Sequence, residues 1–258
     1  MPTPPLEVPP VVPWLTWYGQ KAHQLRQGMH VLFVGPTQSG KTLLCRKIAR
    51  LRRSVVVLGT KPVDPSLDAY VAEGYVRIDH WPPTPRDFRR GRDIWPDDTD
   101  ARFIIWPRMS KREDLRKYRH VYAKCLDEIF IEGRWAIVAD EGLWLASPKG
   151  LDLGQELSDV AYGTASNLVS LYLCVQRPAN VPPVTWTSVS EAEIFHMGRT
   201  DDVRELASLG TLPPKAAIEA VRVLGNQQYQ ASNGLGIHPF LSLPTRGGAT
   251  WAVSEVIP

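Results

Sequence analysis

The stretch His30-Val31-Leu32-Phe33-Val34-Gly35-Pro36-Thr37-Gln38-Ser39-Gly40-Lys41-Thr42 decides how this chain is read. A short apolar run enters a loop of the form G-x-x-x-x-G-K-[ST], and an alternating cationic and apolar segment follows, as at the start of a helix. In that strand–loop–helix setting the glycines let the backbone curl, so that several N–H groups point at phosphate oxygens. The helix opening near Lys41 adds the positive end of its dipole. Lys41 then reaches the β- and γ-phosphates, and Thr42 offers its hydroxyl to Mg²⁺. Gly35, Pro36, Thr37, Gln38, Ser39, Gly40, Lys41 and Thr42 are therefore the expected nucleotide-binding residues, with ATP and Mg²⁺ as the expected ligands.

At 258 residues, 43% of them apolar, the chain can bury one large α/β core with modest appendages. The expected organisation is a proline-rich arm and short aromatic helix over 1–27, an ATPase core over 28–212, and a C-terminal extension over 213–258 whose structure is unassigned. A net charge of +3 and an isoelectric point near 8.8 are mildly basic, compatible with nucleic acid without requiring it. Cys45, Cys125 and Cys174 lie singly in apolar patterns, an odd count without metal spacing, which points to buried free thiols in a reducing compartment. The N-terminal sequence has no basic region ahead of a long apolar run, and no segment approaches a membrane span. The expectation is a cytoplasmic protein without a membrane anchor.

Outward from the phosphate loop, apolar runs alternate with helical patterns. Trp14, Trp17 and Tyr18 open a short helix that Gly28 ends; the aromatics either pin the N-terminal arm to the body, the favoured reading, or serve as a stacking lid on the base or a subunit contact. Ser54–Leu58 is a continuous β-branched run, the mark of a strand buried on both faces of a parallel sheet. Asp64-Pro65 reads as an N-cap and first-turn proline. Residues 81–100 are rich in proline and charge and read as a long surface loop. Ser110 to Glu113 reads as a capping box, with a helix behind it to about Glu132 whose Leu115, Tyr118, Tyr122, Cys125 and Ile129 form the core-facing stripe. Trp135–Ala139 and Leu168–Val175 are further buried strands, Glu193–Met197 another. Helices are expected over Asp201–Leu209 and Lys215–Leu224.

Alternating strands and helices imply a parallel sheet, and in such sheets ligands sit at the carboxyl ends of the strands. Asp140-Glu141 ends one apolar strand: Asp140 suits the Mg²⁺-holding role and Glu141 the general base for water. Gln176-Arg177 ends another. Gln176 is placed to hydrogen-bond the water and the γ-phosphate. Arg177 either stabilises transition-state charge or pairs with a surface acid.

The succession GPTQSGKT, VVVLGTK, AIVADE, LYLCVQRP resembles the HerA–FtsK group of P-loop ATPases, especially the compact single-domain members of viruses and mobile elements. The resemblance covers roughly Val31 to Gly210. It implies a three-layer RecA-like α/β fold, a mainly parallel sheet with helices on both faces, and a strand between those bearing the phosphate loop and Asp140. It further implies a homo-oligomeric ring with ATP at subunit interfaces, hydrolysis coupled to movement of double-stranded DNA, and a viral portal or capsid protein as a partner. In a virus such a protein works in the host-cell cytoplasm or with the virion. Two departures stand out. Gly59-Thr60-Lys61 replaces the acidic residue that many relatives carry before the lysine, and 162–167 hold no arginine. An arginine finger would then come from Arg177, Arg199 or Arg204. The basic residues Arg86, Arg89, Arg90 and Arg92 make 81–100 the best DNA-contacting candidate. A partner-driven assembly or extrusion ATPase that does not grip DNA and a small-molecule kinase are the alternative readings.

Overall fold

In the computed structural model, residues 9–95, 97, 99–163, 166–177, 188–197, 200–207, 213–231, 238–245 and 250–254 are described. They fall into two compact units. One unit gathers Met1–Leu25, Val31–Leu44 and Val175–Pro258; the other gathers Arg26–His30 and Cys45–Cys174.

The second unit is organised around β3 (Ser54–Leu58), whose four residues after Ser54 are all buried. It pairs in parallel with β5 (Ala101–Ile105) on one side and with β6 (Ala136–Ala139) on the other. β5 pairs in parallel with β4 (Val76–Ile78), and β6 with β7 (Ser170–Val175). The order β7-β6-β3-β5-β4 is wholly parallel, as the unbroken apolar runs predict. The register Val57↔Val138, continued by two residues, sets Gly59 level with Asp140.

Local signals explain most of the connecting helices. α2 (Lys41–Ala49) opens directly from the phosphate loop. α3 (Pro65–Ala72) starts where Asp64 accepts the Ser66 N–H at 2.9 Å, with Pro65 in its first turn. The segment 81–100 is not simply a loop: it holds α4 (Pro85–Arg92). Thr84 and Asp87 form a reciprocal capping box, and Phe88 packs edge-on against Trp95 and Phe103. The density of arginine and proline hides these signals in the sequence. Asp114 serves as a capping acid after Ser110: its carboxylate accepts from the Ser110 hydroxyl at 2.9 Å, and a 3₁₀ turn (Arg112–Tyr118) precedes α5 (Arg119–Glu132). Leu115, Tyr122, Cys125 and Ile129 are buried as the stripe predicts, and Tyr118 is half-buried. α6 (Gly142–Ala146) and α7 (Gly154–Gly163) follow β6.

The first unit contains all but the first residue of β2 (His30–Val34) and a strand system of which the sequence reading assigned only the part at Glu193–Met197. β8 (Val189–Phe195) pairs antiparallel with β9 (Phe240–Pro244), and β9 antiparallel with β10 (Trp251–Val253). A two-residue β1 (Val11–Val12) adds to β10 in parallel. α8 (Thr200–Ala207) and α9 (Pro214–Ala231) separate β8 from β9. The N-terminal aromatics anchor as expected: in α1 (Trp14–Trp17), Trp14 and Trp17 are 5% and 1% exposed, and Trp17 meets Phe240 edge-on. A π-helical turn, Tyr18–Ala22, then buries Lys21 against Glu191 of β8 at 3.0 Å. Cys45, Cys125 and Cys174 are buried and are not joined in disulfides.

Candidate functional site

In the first unit β2 delivers a fully buried strand into the phosphate loop. Gln38 (φ 64°) and Gly40 (φ 99°) take left-handed conformations, the backbone alternation from which anion-binding loops are built, and the Ser39 N–H closes a turn on the Pro36 carbonyl at 3.3 Å. Gly35 is buried against β8: a Cβ there would lie 2.7 Å from the Phe195 Cβ and 2.8 Å from the Ser39 Oγ. Pro36, Thr37 and Gln38 are exposed at the mouth, whereas Ser39 and Lys41 are buried. The Lys41 ammonium donates to the Pro36 carbonyl at 2.6 Å, folded back over the loop that it would share with a phosphate. Thr42, half-buried, follows in the first turn of α2.

The end of β7 belongs to the same unit as the loop. The Gly35 N–H donates to the Val175 carbonyl at 3.2 Å, so Gln176 and Arg177 leave the sheet beside the first glycine of the loop. Gln176 is exposed. Arg177 is paired through its guanidinium with Asp202 of α8 at 3.3 Å, so it has an acid within its own chain. Arg204 pairs with Asp201 at 2.7 Å, and Arg199 lies outside the described residues. The C-terminal extension also reaches the loop. His238 stands where a Gly40 side chain would go, its Cβ 2.5 Å from that position. Burial pushes the His238 imidazole below the usual histidine range.

In the second unit Asp140 and Glu141 follow β6 directly, both half-buried. The Glu141 carbonyl accepts the first N–H groups of α6, from Trp144 at 2.9 Å and Leu145 at 3.0 Å. Gly142 fits beneath because a Cβ there would collide with Leu173 at 2.2 Å. Glu141 is bound to Lys61 of the β3 end, Oε1 to Nζ, at 2.9 Å, and Lys61 also faces Asp64 at 3.4 Å. Although partial burial opposes it, the ammonium is held above the usual lysine range by the Glu141, Asp64 and Asp140 carboxylates. Lys61 and His238 are the two contacts that sequence reasoning missed. The first had only the VVVLGTK pattern to mark it, and the second had no signal.

Among the described residues no group of three or more His, Cys, Asp and Glu could hold a metal alone. The Thr42 hydroxyl and the Asp140 carboxylate are hard oxygen donors. That is the donor class of Mg²⁺, which takes few protein ligands and completes its shell with water and substrate phosphates.

The basic residues divide by environment. Arg46 of α2 and Arg50, just past its end, share Glu73, Arg119 pairs with Glu156, and Lys124 with Glu128. On α4, Arg86, Arg89, Arg90 and Arg92 are all exposed; Arg90 lies 3.8 Å from Asp87, whose carboxylate meets His80 at 3.0 Å. No helix among the described residues is long and apolar enough to cross a membrane.

A buried strand entering a glycine-turned loop, and parallel strands joined by helices, are the α/β architecture of RecA-like folds. Comparison with solved structures bears out that fold. The genome packaging NTPase B204 from Sulfolobus turreted icosahedral virus 2 in complex with sulfate superposes with a TM-score of 0.53 at 13% identity, over 89% of this chain and 97% of that one. The same protein in complex with ATP-gammaS gives 0.51 at 14% identity, over 89% and 98%. B204, the DNA-packaging ATPase from Sulfolobus Turreted Icosahedral Virus, gives 0.53 at 13% identity, over 90% and 100%. At such identities the likeness is one of fold. No family model matches the chain, and no curated protein matches it.

Proposed function

We propose that the protein is a Mg²⁺-dependent ATPase that moves double-stranded DNA, in packaging a viral genome or in DNA transfer. The observation that carries this is the loop Gly35–Thr42, with left-handed turns at Gln38 and Gly40 and the Lys41 ammonium folded over it, in a chain whose fold is shared over nearly its whole length with a genome packaging NTPase. The phosphate loop binds ATP, with Lys41 released from Pro36 to the β- and γ-phosphates and Thr42 turned to Mg²⁺. Asp140 holds Mg²⁺, Glu141 accepts the proton of the attacking water, and Gln176 orients that water against the γ-phosphate. Bound Mg²⁺ supplies charge neutralisation of the phosphates. Arg177 already has Asp202 as its counter-ion, so a finger role requires it to exchange that acid for a phosphate. The exposed arginines of α4 supply phosphate contacts to DNA. We assign the assembly a homo-oligomeric ring acting in the cytoplasm of the host, with a portal or capsid protein as its docking partner.

ATP hydrolysis by the wild type and by Glu141→Gln, with and without double-stranded DNA over a range of salt, tests this reading. DNA should stimulate hydrolysis, with the stimulation fading as salt rises. Glu141→Gln should lower kcat by about 10²- to 10⁴-fold. Full hydrolysis in Glu141→Gln removes the base assignment, and hydrolysis indifferent to DNA removes the translocase. Phosphate transfer to a small acceptor would select a kinase instead.

A further inference from the structure

The Lys61–Glu141 contact links two strand ends in the second unit, and everything around it is braced. The backbone from Gly59 to Lys61 is clamped from three directions. The Gly59 N–H donates to the Ile105 carbonyl at 2.9 Å, the buried Tyr122 hydroxyl donates to the Gly59 carbonyl at 2.5 Å, and the Trp106 indole N–H donates to the Lys61 carbonyl at 2.7 Å. Thr60 between them is 3% exposed. Asp64, the second acid on Lys61, is itself fixed. Its Oδ1 takes the Ser66 N–H that caps α3, leaving Oδ2 toward the ammonium, and the residue is 7% exposed. On the far side Glu141 begins α6 with its carbonyl engaged by two N–H groups.

Two anchored backbones thus hold one partly exposed link: the Lys61 side chain is 40% exposed and the Glu141 side chain 23%. A pair this exposed contributes little to folding. Its consequence is orientational, since a glutamate has three rotatable bonds and the ammonium selects one arrangement of them. A general base misplaced by about 1 Å can lose about 100-fold in rate.

We propose that Lys61, braced by the capping carboxylate of Asp64, is the positioning residue that holds the Glu141 carboxylate in place for the attacking water. This rests on the reading of Glu141 as general base. It also gives a use to the lysine of the VVVLGTK strand end: Asp64, one turn of loop further on, supplies the acid that the residue before Lys61 does not. The Lys61 ammonium does not touch substrate; it acts through Glu141.

The test compares the full-length wild type with Lys61→Met, Lys61→Arg, Asp64→Asn, Glu141→Gln and Lys61→Met/Glu141→Gln. Readouts are kcat and KM for ATP, affinity for a fluorescent ATP analogue, and melting temperature. Lys61→Met should lower kcat by about 10- to 100-fold, with KM, analogue affinity and melting temperature unchanged. Lys61→Arg should restore most of kcat, because a guanidinium still spans the two carboxylates. Asp64→Asn keeps the cap and removes only the charge, and should give a smaller loss of kcat in the same direction. In the Glu141→Gln background Lys61→Met should add no further loss.

An unchanged or raised kcat in Lys61→Met overturns the proposal. So does a rise in KM at constant kcat, which would place Lys61 on the nucleotide, or a full additional loss in the double variant. If Glu141→Gln is inactive while Lys61→Met is normal, only the positioning role fails. If Glu141→Gln hydrolyses ATP at the wild-type rate, the base reading fails and the positioning role falls with it.

Discussion

Lys21→Met is the perturbation whose cost the structure defines most closely. Lys21 sits on the π-helical turn of the N-terminal arm, with its ammonium 3.0 Å from the Glu191 Oε1 of β8; the two side chains are 8% and 2% exposed. The Ser242 hydroxyl contacts the same Glu191 oxygen at 3.0 Å and Glu193 at 3.2 Å. Burial pushes the Glu191 carboxyl above the usual range against the pull of Lys21, and pushes Glu193 much further. Methionine matches the stem of the lysine and deletes the charge, so Glu191 is left buried without its ammonium. Breaking a buried pair in this way costs about 3–5 kcal/mol. For a chain of this size that corresponds to a fall in Tm of about 10 °C. Glu191 can relieve part of the cost by taking a proton, which sets the pH sign. Its folded-state value is raised, so the stability it contributes is present below its unfolded value of 4.5 and is lost as pH rises. The deficit of Lys21→Met is therefore largest near neutrality and shrinks in acid. Urea denaturation followed by tryptophan fluorescence at pH 7 and pH 5 measures both. Lys21→Met/Glu191→Gln should recover most of the loss, because an amide needs no counter-ion. A cost below about 1 kcal/mol at pH 7 would refute the reasoning, since it would mean that the pair is solvated rather than buried.

Two further outcomes follow from contacts in the same unit. Glu193 is fully buried and raised by burial and by Glu191, so the stability this group contributes is present below 4.5 and lost as pH rises toward its folded-state value. Glu193→Gln should match the wild type at pH 4, exceed it at pH 7 and flatten the stability–pH curve measured by urea titration; equal slopes would contradict this. Gly40→Ala combines a positive φ, costing about 1–2 kcal/mol, with a Cβ 2.5 Å from that of His238. It should weaken binding of a fluorescent ATP analogue at least about tenfold, as expected of strain in a phosphate loop. His238→Gly added to it should restore part of the affinity and His238→Ala none, because alanine keeps the offending Cβ.

Features that rest on short-range chemistry were legible along the chain. The phosphate loop follows from Gly35, Gly40 and Lys41 at fixed spacing after four apolar residues. The parallel strands follow from runs such as Val55–Leu58, and the start of α3 from Asp64-Pro65. Each is decided within about one turn or strand of its own residues, so it survives in one dimension. The antiparallel strands β9 and β10 were not legible, because Phe240–Pro244 and Trp251–Val253 are too short and too interrupted to show a period. α4 was obscured because its stabilising contacts, Phe88 and Gly91 against Trp95 and Phe103, lie under an arginine-rich surface. Only the tertiary structure decided that Lys61 binds Glu141, that Arg177 binds Asp202, and that His238 covers Gly40. These pairings join residues distant in the chain, and strand register and the approach of one backbone to another set them. No local pattern of residue types carries that information.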